Sequence, residues 1–278
     1  MSGRWWTPVK RADVAVPIIN EVESNALSAE EVRLFDAQGF VGPFTMCSPE
    51  EMAGIRERVE NEVLQRTPPV SPDARKDRYL DSRLIYDLCT HPAIRERMQS
   101  LYGPDLLLFA SSLFVKEPNY PEFPWHCDGP YWPMQPRVGV TAWLSIDEAT
   151  LENGCVSLIP GSHKVDAPHA PFGYDRWSDL KRRMGKTVIQ GRKADVSRLD
   201  TNTSVDMAVK PGQFFLFTHE TVHRARANRT NGRRTGLAIR VTVPLVRLRH
   251  DDIYPGHKAV LIAGEDRYGW NELAPPPE

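Results

Sequence analysis

The sequence has few cysteines, and none of them stands in a short paired motif. Its 278 residues include four widely scattered ones, at Cys47, Cys89, Cys127 and Cys155. A zinc knuckle needs pairs such as C-x-x-C, and a disulfide framework needs a much higher cysteine content. The pattern therefore excludes both and is typical of reduced thiols in a cytoplasmic protein.

Long apolar runs and an excess of charge of either sign are also missing. No stretch approaches the roughly 20 apolar residues of a membrane helix, and residues 1–20 contain no apolar run typical of a signal peptide. Lys and Arg total 35 against 36 Asp and Glu, so the formal net charge of -1 gives no electrostatic argument for nucleic acid or a membrane as partner. We expect a soluble cytoplasmic protein; the sequence does not specify its oligomeric state.

The N-terminal third carries helix signals. Residues 28–31 and 48–51 are Ser-x-x-Glu capping boxes, and each predicts the start of a helix. The first helix is expected to end near Gly39. The second has an apolar stripe at helical spacing, formed by Met52, Ile55, Val59 and Val63. A third helix is predicted over 92–102, with Gly103 as its end.

From residue 105 onwards the sequence favours strands. The segments "LLLFASSLFV", "VGVTAWLSI", "CVSLI", "VDMAV", "FFLF" and "LAIRVTVPLV" are rich in β-branched and aromatic residues and are separated by turn signals. We expect one domain over 1–278, mainly β with flanking helices. Its helical part would span about 28–103, its β-sandwich or barrel core about 105–246, and an inserted lid or loop about 164–204.

A His-x-Asp pair is the clearest candidate for chemistry. On a strand His126 and Asp128 would point to the same side, and a second histidine would complete the 2-His-1-carboxylate set of non-haem Fe(II) oxygenases. Either His219 or His223 could supply it, since both follow a predicted buried strand. The alternative for the pair is a hydrogen-bonded turn ahead of Gly129.

The remaining histidines are weaker candidates. His91 begins a predicted helix and His163 follows a turn, so both are expected at the surface or behind the ligands. His250 and His257 lie among polar residues, and we expect them to be exposed.

Three blocks of the sequence carry a family resemblance. "FVKEPNYPEFPWHCDGPYW", "TAWLSIDEATLENGCVSLIPGSHK" and "GQFFLFTHETVHRARANRTNGRRTGLAIRVT" occur in this order and resemble the phytanoyl-CoA dioxygenase (PhyH-like) family over roughly residues 30 to 245. The resemblance implies a double-stranded β-helix, which is a distorted, cupin-like jelly roll. It also implies Fe(II), 2-oxoglutarate and O2 as cofactor and co-substrates.

Matched to the family residue by residue, His126 and Asp128 stand at the first two iron ligands. The resemblance places the third at His223, because an Asn-x-Thr motif begins five residues later, at Asn228. It assigns the far carboxylate of 2-oxoglutarate to Arg234. A guanidinium suits this task because its planar donors match a carboxylate in pairs.

Four further residues carry open alternatives. Arg240 could share the face of Arg234, but we favour a surface ion pair for it. Lys116 is either structural or part of the co-substrate site, and Trp143 either lines that pocket or fills the core. Tyr131 and Trp132 are either substrate-pocket walls or core residues.

The resemblance implies hydroxylation, or a related oxidation, of an unactivated C–H bond in a small metabolite, with release of succinate and CO2. Halogenation is disfavoured because Asp128 is retained. A basic segment, formed by Lys181, Arg182, Arg183, Lys186, Arg192 and Lys193, indicates either an anionic substrate or a solvated loop. Alternative functions are a metal enzyme on this fold that does not use 2-oxoglutarate, and a silent binding protein.

Overall fold

The fold consists of antiparallel β-sheets with helices packed against the outer face of the largest one. A computed structural model of the chain describes residues 24–71, 73–165 and 194–278. Most of the predicted lid, including its basic residues, lies outside these ranges. Within them, the ends of the predicted lid include short 3₁₀ turns at Ser162–Lys164 and Thr201–Thr203.

Five α-helices lie in the described ranges. They are α1 (Ala29–Gln38), α2 (Pro49–Arg58), α3 (Arg83–Thr90), α4 (Pro92–Tyr102) and α5 (His250–Ile253). A π-helical turn, Val59–Leu64, continues α2. None of these helices is long and apolar enough to cross a membrane.

The capping signals are confirmed at both predicted helix starts. Ser28 and Ser48 each accept a hydrogen bond from the backbone N–H three residues later, and the glutamate there, Glu31 or Glu51, accepts one from the backbone of the serine. At the other end of α1, Gly39 adopts a left-handed conformation with φ 86°. A glycine reaches this region without the strain that a side chain would impose, so the helix ends there.

Two sheets carry most of the strands. The six-stranded sheet has the order β1-β8-β5-β10-β2-β12, and the four-stranded sheet has the order β3-β9-β6-β7, while β4 and β11 form a separate pair. In chain order the strands are β1 (Phe40–Thr45), β2 (Leu106–Lys116), β3 (Phe123–His126), β4 (Met134–Gln135), β5 (Val140–Ser145), β6 (Val156–Leu158), β7 (Val205–Met207), β8 (Gln213–Thr218), β9 (His223–Ala225), β10 (Arg234–Thr242), β11 (Arg247–Leu248) and β12 (Val260–Ala263).

The six-stranded sheet extends beyond the expected core of residues 105–246. Its edge strands β1 and β12 come from the predicted helical part and from the C-terminal part of the chain. The helix α3 was also not predicted. The sequence nevertheless contains its signals, which are the Ser82 cap and the helical spacing of Leu84, Ile85 and Leu88. All three apolar residues are buried.

Alternate residues of strand β10 face opposite sides of the larger sheet. Leu237, Ile239 and Val241 face the helices and join the main hydrophobic core with side chains such as Met52 of α2. Alternate residues point to the other side, where Ala238 packs with residues of both sheets. The polar residues of this inner side, Arg234 and Arg240, therefore lie between the two sheets.

Candidate metal centre and cofactor pocket

The two predicted ligand histidines lie on adjacent strands of the smaller sheet. His126 is the last residue of β3, and His223 is the first residue of β9 and its direct cross-strand partner. Asp128 is not on the strand itself, because β3 ends at His126 and a 3₁₀ turn begins at Gly129. This turn points the carboxylate towards the two imidazoles.

His126, Asp128 and His223 form a compact group of three potential metal ligands. One ligand atom from each lies within 4.8 Å of the others, and all three residues are buried. The Nε2 atom of His126 lies 3.7 Å from Oδ1 of Asp128, and the centroids of the two imidazole rings are 4.1 Å apart. Two imidazoles and one carboxylate on one side of an ion are suited to Fe(II) and leave coordination positions open.

Backbone carbonyls determine the tautomer of both histidines. The Nδ1 atom of His126 lies 2.9 Å from the carbonyl oxygen of Pro124, and Nδ1 of His223 lies 2.9 Å from that of Thr221. Because a carbonyl oxygen only accepts, each Nδ1 carries the proton and the lone pair of each ring lies on Nε2. Ligand histidines in proteins are commonly oriented in this way. Burial also lowers the pKa of His223, which favours the neutral form that binds a metal.

His219 serves the site through its backbone. Its carbonyl oxygen accepts hydrogen bonds of 2.8 Å from the backbone N–H groups of both Asp128 and Gly129, which fixes the turn that carries the carboxylate. The His219 ring is buried edge-on against Phe109, with centroids 5.7 Å apart. It does not join the ligand group, so of the two histidines that the sequence left open, the structure brings His223 to the pair.

Arg240 forms a buried ion pair with Asp128, so the expected surface ion pair is wrong. Its Nε atom lies 3.3 Å from Oδ2 of Asp128, and the two side chains are 7 % and 6 % exposed. Burial opposes the charge of Asp128, but the Arg240 guanidinium and the neighbouring imidazoles outweigh this and hold its pKa well below the ordinary value. The even spacing from Arg234 was the available signal, but the partner of Arg240 follows only from the tertiary structure.

Arg234, the first residue of β10, is a fully buried cation without a carboxylate partner among the described residues. Its Nη2 atom donates to the carbonyl oxygen of Gly154, while its Nε–H has no hydrogen-bond partner there. Burial lowers its pKa to about 10, so the group stays charged at neutral pH. A buried charge is costly unless it is paired, and a ligand carboxylate would pair it.

Trp143 packs in the core between the sheets and lies beside Arg234. Its indole stacks on Phe215, with centroids 5.6 Å apart, and its ring centroid lies 5.1 Å from Cζ of Arg234. The indole also crosses directly over Gly236, where an added Cβ would lie 2.3 Å from a ring carbon. The absence of a side chain at Gly236 therefore allows Trp143 to lie beside the guanidinium.

Lys116 is fully engaged by backbone carbonyls. Its ammonium donates to the carbonyl oxygens of Pro121, Ala225 and Arg226, which accounts for its three donors. Burial, with a further contribution from Arg234, lowers its pKa to about 7. Of the two alternatives for Lys116, this placement favours the structural one.

The Asn-x-Thr motif closes the loop that leads from His223 to Arg234. The side-chain amide of Asn228 donates to the carbonyl oxygens of Lys116, Glu117 and Gly232, and its oxygen accepts from Thr230. The motif thus fixes the start of β10, where Arg234 lies.

Aromatic side chains surround the ligand group. The Phe123 ring lies 4.4 Å from that of His126, and Trp132 packs edge-on against Phe109 at 5.1 Å. Tyr131 ends the 3₁₀ turn that follows Asp128, Trp132 comes directly after it, and both are half-buried.

The prediction that His250 and His257 are exposed is wrong. Both are buried, and their Nδ1 atoms lie 2.9 Å apart. The Nε2 atom of His257 lies 2.7 Å from the carbonyl oxygen of Phe109, and Nε2 of His250 accepts from the backbone N–H of Glu272 at 3.1 Å. The two rings join the C-terminal part of the chain to β2. His91 and His163 are half-buried and are not members of the ligand group.

The chain matches the family model described as Phytanoyl-CoA dioxygenase (PhyH) over residues 35–236. Among curated proteins it is 24 % identical over 247 residues to a probable phytanoyl-CoA dioxygenase of Caenorhabditis elegans, covering 78 % of this chain and 75 % of that protein. It is 22 % identical over 240 residues to the peroxisomal phytanoyl-CoA dioxygenase of Bos taurus, covering 78 % and 68 %.

Solved structures show the same fold. The non-haem monooxygenase ThoJ in its apo form superposes with a TM-score of 0.73 at 22 % identity, covering 89 % of this chain and 88 % of that one. CytC3 with Fe(II) and α-ketoglutarate gives a TM-score of 0.69 at 24 % identity, covering 91 % and 95 %. The prediction of a mainly β, cupin-like jelly roll with flanking helices is confirmed.

Proposed function

Because the chain belongs to the phytanoyl-CoA dioxygenase (PhyH) family, we propose that it hydroxylates, or otherwise oxidises, an unactivated C–H bond of a small metabolite. Dioxygenases of this family use Fe(II), 2-oxoglutarate and O2. One observation carries the proposal: a buried 2-His-1-carboxylate group shares the space between the sheets with Arg234, a buried arginine that has no carboxylate partner among the described residues.

The donor set fits the iron. In this proposal Nε2 of His126, Nε2 of His223 and a carboxylate oxygen of Asp128 hold Fe(II), with both imidazoles already in the required tautomer. Asp128 would supply a carboxylate ligand where a halogenase would need room for a halide, which favours oxygen insertion over halogenation.

The unpaired guanidinium fits the co-substrate. Arg234 would hold the far carboxylate of 2-oxoglutarate, with the Trp143 indole as a pocket wall. This residue also argues against a metal enzyme on the same fold that does without 2-oxoglutarate, since no carboxylate in the described part of the chain would then pair this buried cation.

Bound Fe(II), 2-oxoglutarate and O2 supply the oxidation, and 2-oxoglutarate leaves as succinate and CO2. The described side chains orient the reactants and exclude water. His126 and His223 are themselves buried, and the Phe123 ring packs against His126, so bulk solvent is kept from the metal-binding atoms. Trp132 would limit where the substrate C–H bond can lie.

For the substrate we propose a small, polar or anionic metabolite. Arg240 adds positive charge beside the ligand group, and the basic residues that the sequence carries within 181–193 favour an anionic substrate. Tyr131 and Trp132 are the proposed contacts. A cytoplasmic location and a single domain complete the proposal.

An anaerobic titration with Fe(II) and then 2-oxoglutarate tests the proposal. We expect a weak visible charge-transfer band in the wild-type protein and none in His126→Ala. Arg234→Ala should retain iron but bind 2-oxoglutarate at least roughly 30-fold more weakly, because truncating one partner of a buried charge pair costs about 2–5 kcal/mol.

The matched control is Arg233→Ala. Arg233 is the adjacent arginine, but it is half-buried and paired with Glu60. It should give a wild-type band. Iron binding without the band in the wild-type protein would refute the use of 2-oxoglutarate, and absence of iron binding would refute the oxygenase itself.

A further inference from the structure

Arg240 lies beside the ligand group but outside the three ligands and the arginine proposed for 2-oxoglutarate. It is six residues beyond Arg234 on β10 and points to the same inner side of the sheet. The residue is 6 % exposed, so its charge is not placed there for solvent contact. Buried arginines of this kind need a partner that occupies their donors.

The surroundings fix the plane of the Arg240 guanidinium. Its Nε–H donates to Oδ2 of Asp128 at 3.3 Å, and Nη1 donates to Oγ of Ser112 at 3.2 Å. The Trp132 ring centroid lies 5.3 Å and the Phe114 centroid 5.8 Å from Cζ. Two polar acceptors and two aromatic rings therefore leave the group little freedom to turn.

The two oxygens of Asp128 have different neighbours as a result. Oδ1 lies 3.7 Å from Nε2 of His126, within the ligand group, whereas Oδ2 is occupied by Arg240. The terminal torsion of an aspartate is broad and easily turned. Without the arginine, the carboxylate could turn and present both oxygens to the same ion.

We infer that Arg240 is a positioning residue, which restricts Asp128 to one metal-binding oxygen and so keeps a coordination position open. This inference rests on the proposed function. On a six-coordinate ion, three single-atom ligands would leave three positions open, which 2-oxoglutarate and O2 together would need. A two-oxygen carboxylate would take the last of these, and a lysine could not replace the fixed Nε–H donor.

For Arg240→Met we expect tighter metal binding together with slower turnover. Loss of a nearby positive charge and gain of a second carboxylate oxygen both favour the metal. The variant should therefore bind Mn(II) more tightly than wild type, on the order of tenfold at low salt. Turnover should nevertheless fall. A merely structural role would instead weaken metal binding and turnover together.

Water-proton relaxation of the Mn(II)-loaded protein measures the open positions directly. Wild type should retain three exchangeable waters, and Arg240→Met two, so relaxivity should fall by about one third. After 2-oxoglutarate is added, wild type should keep one water and the variant none. Arg233→Met, which removes an arginine away from the ligand group, is the control and should match wild type.

Two further results separate the possible failures. If the wild type binds Mn(II) and Arg240→Met retains the same number of waters as the wild type, this inference alone is overturned. If the wild type binds neither Mn(II) nor Fe(II), the proposed function is overturned with it. If Arg240→Met does not fold, Arg240→Lys carries the same test. It keeps the charge but lacks the Nε–H donor, and it should also lose one water.

Discussion

Acidification should unfold this protein partly through His257. The hydrogen bonds around His257 require its neutral form. The carbonyl oxygen of Phe109 requires a proton on Nε2 of His257, so its Nδ1 accepts from Nδ1–H of His250, whose Nε2 in turn accepts from the backbone of Glu272. Protonation of His257 would place two N–H donors 2.9 Å apart in a buried position.

The pKa of His257 gives the size and the sign of the effect. Burial lowers this pKa from 6.5 to about 4. Between these values the unfolded chain binds a proton that the folded protein does not, so the stabilisation is fully present above pH 6.5 and is lost as the pH falls towards 4. Since each tenfold difference in proton affinity corresponds to about 1.4 kcal/mol, the loss is at most ~3 kcal/mol.

Urea unfolding of the metal-free protein and of His257→Gln, from about pH 7 to about pH 4.5, measures this contribution. Glutamine retains a donor for Phe109 but does not titrate. The stability difference between wild type and variant should shrink by up to ~3 kcal/mol as the pH falls, while other titrating groups cancel. The control, His91→Gln, should change less, because His91 is half-buried. A difference for His257→Gln that stays constant with pH would refute the reasoning.

The remaining predictions concern one packing contact and one helix cap. Gly236→Ala should lower the free energy of unfolding by about 1–3 kcal/mol and weaken the 2-oxoglutarate band, because the new Cβ displaces the Trp143 indole. Thermal unfolding measures the first effect and the anaerobic titration the second. An unchanged band would contradict the proposed role of Trp143 as a pocket wall. Ser48→Ala should cost ~1 kcal/mol through loss of the capping box with Glu51. Denaturant unfolding measures that loss, and metal binding should not change.

Elements with local signals are the predictable part of the fold. The capping box at Ser28 and the glycine at Gly39 fix α1 from within a dozen residues, and the structure confirms both ends. Strand β1 has no comparable signal. It is defined by pairing with β8, for example between Phe40 and Phe217, and such distant partners leave no periodic pattern in the short segment itself.

The candidate site divides in the same way. His126 and Asp128 are evident as a pair because they are only two positions apart in the chain, although β3 ends at His126 and a turn, not the strand, places the carboxylate. The contact of Arg240 with Asp128 depends on the position of one sheet above the other, which local sequence does not encode. The exposure of a side chain is equally non-local. Polar neighbours in the sequence predict that His257 faces solvent, yet it is buried and contacts Phe109 of β2, which is distant in the chain.

The cross-strand pairing of His126 and His223 has a consequence for proteolysis. An ion shared by two residues that are 97 positions apart would act as a cross-link and close a long loop of chain. Local opening of β3 from β9, which exposes backbone to a protease, would then require the ion to leave first. The rate of cleavage within β3 or β9 should therefore report metal occupancy, even when no substrate for the enzyme is at hand.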